Sequence, residues 1–187
     1  MVRIDNAVTN WLQTHGTEFG ESIFWSISLL GAPILVALLA SLAGVLIYRR
    51  NWRRLAALVV TCGGGAVLNV ALKMSIHRTR PSFASEFNAS SWSFPSGHAM
   101  DSLIAYGFLA NWAISRWPER RTAIVALMTA IVVTIGYGRI YLGVHYLSDV
   151  VAGYCAGCVW LVVCISGFRF AERQGIGGSG VANPGPT

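Results

Sequence analysis

Charge is what this chain has least of. Asp, Glu, Lys and Arg make up 12% of its 187 residues, about half of the roughly 25% carried by an average soluble domain. A molecule solvated over its whole surface is therefore excluded. So is a disordered chain, because 54% of the residues are hydrophobic and the mean hydropathy is +0.54. No internal repeat, no secretory signal peptide and no sustained strand-like alternation is found. Cysteine is also sparse. Cys62, Cys155, Cys158 and Cys164 all fall inside apolar runs, which excludes a disulfide framework. The Cys155-x-x-Cys158 pair lacks the polar access that zinc or redox chemistry needs, so these cysteines read as small packing residues. No metal site and no cofactor is expected.

What is abundant is long apolar sequence. About 20 apolar residues span a bilayer, and five runs approach that length: Ile27 to Tyr48, Leu55 to Leu72, Ala99 to Ser115, Ala123 to Gly138, and Val150 to Phe168. The third is the least clean, with Asp101 and Asn111 inside it. The fifth carries Gly153 and Gly157 in the spacing that lets helices approach closely. Ahead of the runs, Ile4, Val8, Trp11 and Leu12 at helical spacing predict a short amphipathic helix on the membrane surface. The expected architecture is all-α: a polytopic transmembrane bundle of five spans plus that N-terminal helix, forming one domain over residues 1–170. The Gly/Pro-rich tail, 171–187, is expected to be disordered.

Five spans place alternate loops on opposite faces. One face receives Arg49, Arg50, Arg53, Arg54, Arg116, Arg120, Arg121, Arg169 and Arg173, and the other Arg3, Lys73, Arg78, Arg80 and Arg139. The positive-inside rule makes the nine-residue face cytoplasmic. That topology accounts for the net charge of +6 without a nucleic-acid partner, and puts the N-terminus and loops 74–98 and 139–149 outside a plasma membrane.

The outer loops gather chemistry. They hold Lys73, His77, Arg78, Arg80, Ser96, His98, Arg139, His145 and Asp149, including three of the four histidines. Ionisable groups at the ends of spans point to function, and cations with imidazoles suit a compact, multiply charged anion such as phosphate. Pro95-Ser96-Gly97-His98 stands where the third run begins. Free backbone N–H groups at such a helix start bind anions, although Pro and Ser are also ordinary helix-start residues. His145 and Asp149 are four apart, so on a helix they share a face. There the carboxylate fixes the imidazole tautomer, or else merely meets the helix dipole. Arg139 can clamp phosphate oxygens or snorkel to the interface, and Lys73 and Arg80 are each open to the same two readings. What favours a site is the delivery of K-x6-RP, PSGH and R-x5-H-x3-D to one membrane face.

Those segments, KMSIHRTRP (73–81), PSGH (95–98) and GRIYLGVHYLSD (138–149), resemble in order the three signature motifs of the type 2 phosphatidic acid phosphatase superfamily. With the flanking spans the resemblance covers roughly residues 20–168. It implies a helical bundle, usually of six spans, with a metal-independent site near the outer leaflet. It implies His145 as a nucleophile forming a phosphohistidine, Asp149 as its support and His98 as general acid. Lys73, Arg80, Ser96, the Gly97 backbone and Arg139 would then hold the phosphate oxygens. Short bacterial members suggest undecaprenyl diphosphate, slightly favoured, or phosphatidylglycerophosphate as the lipid substrate. Two departures stand out. Gly138 replaces a frequent Ser, and the first of six spans is missing, as in a short member or a chain whose natural start lies upstream. His77 and Arg78 read as contacts to a second phosphate or head group, or as solvated loop residues. Trp92 and Phe94 read as interfacial anchors or as lining of a lipid entrance. Asp101, one helical turn beyond Gly97, reads as hydrogen-bonding to neighbours or orienting a site residue and is assigned no catalytic role. The competing functions are a vanadate haloperoxidase-like enzyme, disfavoured by the apolar spans, and a non-catalytic membrane protein that binds or moves phospholipids. Oligomeric state is not legible.

Overall fold

The computed structural model describes residues 2–82 and 91–174, and these are helical, with no strand among them. Eight α-helices follow in order: α1 (Val2–His15), α2 (Glu18–Ser28), α3 (Pro33–Tyr48), α4 (Trp52–Leu58), α5 (Gly64–Ile76), α6 (Gly97–Arg116), α7 (Arg121–Tyr141) and α8 (Leu147–Arg173). A 3-10 turn, Leu29–Gly31, joins α2 to α3, and a π-helical turn, Val59–Gly63, joins α4 to α5. Each pair forms one long element. The helix α8 continues past the expected boundary at 170, and residues 175–187 of the tail lie outside the described residues.

Four elements among the described residues are long and apolar enough to cross a membrane: Glu18–Tyr48, Trp52–Ile76, Pro118–Tyr141 and Leu147–Arg173. The expected count of five is corrected by the third run. Residues 99–115 do form a helix, but α6 falls short of the apolarity of a lipid-facing span. The physical reason is its position. Packed against α5, α7 and α8, it buries Ala99, Met100, Ser102, Ile104, Ala105, Tyr106 and Ala110, so protein rather than lipid surrounds much of it and polar side chains are tolerated.

Close approach between α6 and α8 depends on the two glycines. A Cβ on Gly153 would stand 2.8 Å from the Ser96 carbonyl oxygen, and one on Gly157 would stand 3.1 Å from that of Met100. The cysteines divide. Cys164 is buried and Cys62 partly buried, whereas Cys155 and Cys158 are exposed rather than packed within the bundle.

The expected amphipathic helix is α1. Its Val8 and Leu12 pack with Ile140, Tyr141, Leu147 and Val150 over the ends of α7 and α8, and Gln13 donates to the Tyr141 carbonyl at 3.0 Å. It thereby caps the same end of the bundle at which α5 and α7 finish and α6 and α8 begin.

Candidate active site

His145 lies in the short connection between α7 and α8, buried to 2% exposure. This corrects the expectation that it shares a helix face with Asp149: α8 starts only at Leu147, and Asp149 sits in its first turn. The backbone brings them together all the same. The Asp149 carboxylate accepts the Tyr146 N–H at 2.9 Å, which satisfies one free donor of the helix start, and its Oδ2 comes to 3.6 Å from His145 Nδ1. That spacing is an ion-pair distance rather than a hydrogen bond. Ser93 bridges the two, its hydroxyl donating to Asp149 Oδ2 and lying 3.4 Å from His145 Nδ1.

The other ring nitrogen faces a cation. Arg80 Nη1 is 3.3 Å from His145 Nε2 and donates to the Val144 carbonyl at 2.8 Å, while its Nε and Nη2 donate to the Ser91 carbonyl and hydroxyl. Burial is the largest influence on the His145 imidazole and lowers it; the Asp149 carboxylate opposes this, Arg80 and Arg139 reinforce it, and the imidazole is held at about 4. At neutral pH the ring is uncharged. With Nδ1 turned to carboxylate and hydroxyl, the proton belongs on Nδ1, which leaves the Nε2 lone pair beside Arg80.

Ser96 precedes the first residue of α6, and its N–H donates to the Asp149 carbonyl at 3.0 Å. Its hydroxyl is buried without a hydrogen-bond partner. Gly97 and His98 occupy the first turn, where backbone N–H groups have no intrahelical partner. His98 packs edge-on against Gly31, where a Cβ would come within 3.0 Å of the ring, and it lies within electrostatic reach of Arg139, His145, Arg80 and Lys73. Arg139 is 8% exposed and donates to the Ser28 hydroxyl at 3.0 Å, while its Nε is buried and unpartnered. Lys73 donates to the Trp92 carbonyl at 2.7 Å. All eight expected site residues thus converge at one end of the bundle. Gly138, in place of a serine, lies against Phe24, 3.1 Å from where its Cβ would be.

Arg78 has a different part from the one expected. It contacts Asp149 Oδ1 at 2.6 Å and Asp5 Oδ2 at 2.8 Å, so it ties α1 to the start of α8. Asp5 also accepts from the Ser148 N–H at 3.0 Å and hydroxyl at 2.6 Å. Burial would raise the Asp5 carboxyl, but these hydrogen bonds from Ser148 and Arg78 outweigh it and hold it below the ordinary carboxylate range. His77 ends α5 in the left-handed conformation and meets the Trp92 ring edge-on at 4.9 Å. Sequence reasoning passed over Asp5, Ser28 and Ser93. Each is an ordinary polar residue far along the chain from its partner, and no spacing signal marks it.

Residues 54–173 match the family profile of the PAP2 superfamily. The chain is 35% identical over 172 residues to phosphatidylglycerophosphatase B of Bacillus subtilis (strain 168), an alignment that covers 88% of this chain and 79% of that protein. It is similar to the crystal structure of a transmembrane PAP2-type phosphatidylglycerolphosphate phosphatase from Bacillus subtilis, with a TM-score of 0.79 at 30% identity over 90% of this chain and 85% of that one. The fold is also that of Aquifex aeolicus LpxE, with a TM-score of 0.68 at 22% identity over 87% of this chain and 94% of that one. With two histidines among four cations at the end of a membrane bundle, and with this match over most of its length, the chain belongs to the PAP2 superfamily of multi-pass membrane lipid phosphatases.

Proposed function

We propose that this membrane lipid phosphatase removes the terminal phosphate of a glycerophospholipid monophosphate of the phosphatidylglycerophosphate class, through a covalent phosphohistidine on His145. The observation that carries the reading is the two-sided environment of that ring: Asp149 and Ser93 at Nδ1, Arg80 at Nε2, and burial that keeps it neutral. The lipid class rests on the activities that the two Bacillus relatives are named for. No residue here favours the polyprenyl diphosphate.

The mechanism follows from the geometry. His145 Nε2 attacks phosphorus and forms a P–N bond as the P–O bond to the lipid breaks. The departing oxygen takes a proton from His98 in its imidazolium form, so the lipid leaves as a neutral alcohol and His98 is left neutral. Positive charge on the His145 ring is balanced by Asp149. In the second half, His98 accepts a proton from water as the water oxygen attacks phosphorus, the P–N bond breaks, and inorganic phosphate departs with both histidines restored. Arg80, Arg139 and Lys73, with the Ser96 hydroxyl and the first-turn N–H groups of α6, receive the three non-bridging oxygens. The unpartnered Ser96 Oγ and Arg139 Nε are the atoms waiting for that ligand.

The chain's arginines support an orientation with this site outside the plasma membrane, since nine lie in segments at the other end. The test is phosphate release from phosphatidylglycerophosphate and from undecaprenyl diphosphate by detergent-purified protein, with and without EDTA, for wild type and His145→Ala. Release from the glycerophospholipid that survives EDTA and vanishes in the variant supports the reading. Release from the polyprenyl lipid alone overturns the substrate class, and no release from either favours a lipid-binding protein.

A further inference from the structure

Asp101 is a partly buried carboxylate, one of whose oxygens no neighbour binds. It sits on α6, three residues after His98 and so on the same face of the helix. Its Oδ1 is buried without a hydrogen-bond partner. The polar groups across on α5 make their hydrogen bonds elsewhere. Asn69, across on α5, donates its amide to Met100 Sδ at 3.4 Å and presents its carbonyl oxygen toward Gly97. Lys73, one turn further along α5, donates one hydrogen bond to the Trp92 carbonyl and meets Asp101 only through space. Burying a carboxylate oxygen without a partner is costly. A partner that arrives with the ligand resolves the cost.

The cavity beside it shows what that ligand is. A space of about 270 Å³ between α3, α5 and α6 is lined by both Asp101 and His98, with Gly97, Leu35, Cys62 and Ala66 among the other walls. A group seated in it touches the imidazole and the carboxylate together. In an in-line displacement the departing oxygen stands opposite the attacking nitrogen, so the side of the site that holds His98 holds the leaving alcohol. The atoms of that alcohol next to its ester oxygen then face Asp101, and its apolar remainder meets the cavity wall.

We infer that Asp101 and this cavity form a subsite for the leaving alcohol, in which the carboxylate accepts a hydrogen bond from a free hydroxyl near the scissile ester. The subsite rests on the phosphatase reading and sharpens it. Lipid phosphates whose alcohol carries such a hydroxyl, as a glycerol head group does, are selected over prenyl phosphates, whose alcohol has no donor. A site built around a buried acceptor discriminates strongly, because the analogue without the donor leaves that acceptor unpaired.

The experiment compares phosphatidylglycerophosphate with its 2'-deoxyglycerol analogue, which lacks only the hydroxyl, by phosphate release from purified protein. Wild type is expected to prefer the hydroxylated lipid by at least about 10-fold in kcat/KM. In Asp101→Leu, which removes the acceptor at similar size, that ratio is expected to fall to within about 2-fold of unity. Equal rates of wild type on the two lipids would overturn the inference without any variant, as would an Asp101→Leu protein that keeps the wild-type ratio. Release from neither glycerophospholipid would overturn the substrate class on which the inference rests, a result distinct from equal rates.

Discussion

The two ends of the bundle are both rich in cations, and they treat them in opposite ways. At the site end, Arg139 is buried, Lys73, Arg78 and Arg80 are partly buried, and all four hold named partners. At the far end, Arg49, Arg50, Arg53, Arg54, Arg116, Arg120, Arg121, Arg169 and Arg173 are all exposed. Most of their contacts are loose, as with Arg120 to Glu119 at 3.8 Å, Arg54 over Trp112 at 5.8 Å and Arg116 over Trp117 at 5.7 Å, although Arg169 donates to the Asn111 side-chain oxygen at 2.9 Å. Residue type alone therefore does not mark the site. The difference is desolvation, which strengthens each interaction and makes each unpaired atom expensive, and it is the site end that pairs its charges so closely.

This contrast can be broken or sharpened by substitution. The largest effect is expected from Asp149→Asn, which removes the charge opposite the His145 imidazolium and leaves its tautomer unspecified; kcat should fall by about 10³-fold with KM little changed, measured by steady-state phosphate release. Arg80→Ala should lower kcat/KM by about 10²-fold or more, since a charged donor at the reacting nitrogen and phosphate is lost. Arg78→Ala is expected to act on stability first. It removes the guanidinium that contacts two buried carboxylates, Asp5 at 2% and Asp149 at 0% exposure, and breaking such a buried pair costs about 3 kcal/mol. A fall in the midpoint of thermal unfolding in detergent, with a smaller loss of kcat/KM than in Arg80→Ala, would separate scaffold from phosphate contact.

The acid limb of the pH profile offers a milder perturbation. His145 binds its proton at about 4 in the folded protein, below the ordinary 6.5 of an unfolded histidine. The unfolded state thus holds more protons between these values, so the contribution of this ring to stability is complete above pH 6.5 and is lost as pH falls toward 4. Activity that depends on the neutral ring should likewise persist at pH 5, and a limb centred near 6.5 would contradict the burial account. The smallest effect belongs to the far end: Arg120→Ala should change stability by no more than about 0.5 kcal/mol and leave kcat/KM at the wild-type value.

Much of this arrangement was legible in the sequence, and the exceptions have a common cause. Local spacing gave the start of α6 at Pro95-Ser96-Gly97-His98, the amphipathic α1 and the glycine seam of α8, because each depends on residues within a turn or two of one another. Three spaced motifs gave the eight expected site residues, which the fold brings to one end of the bundle. The Asp5–Ser148 and Arg139–Ser28 contacts join residues 143 and 111 positions apart, and no periodicity foretells them. The count of spans failed at α6 for a related reason: hydropathy reports how apolar a helix is, but whether lipid or protein surrounds it is decided by its neighbours.

The most direct measurement is to trap the intermediate. Wild-type protein mixed with lipid carrying a radiolabelled terminal phosphate, quenched in base within the first turnover and digested, should yield label on the peptide that contains His145, and His145→Ala should yield none. Turnover of the same lipid with no labelled protein at any quench time, or label on a different residue, would contradict the account.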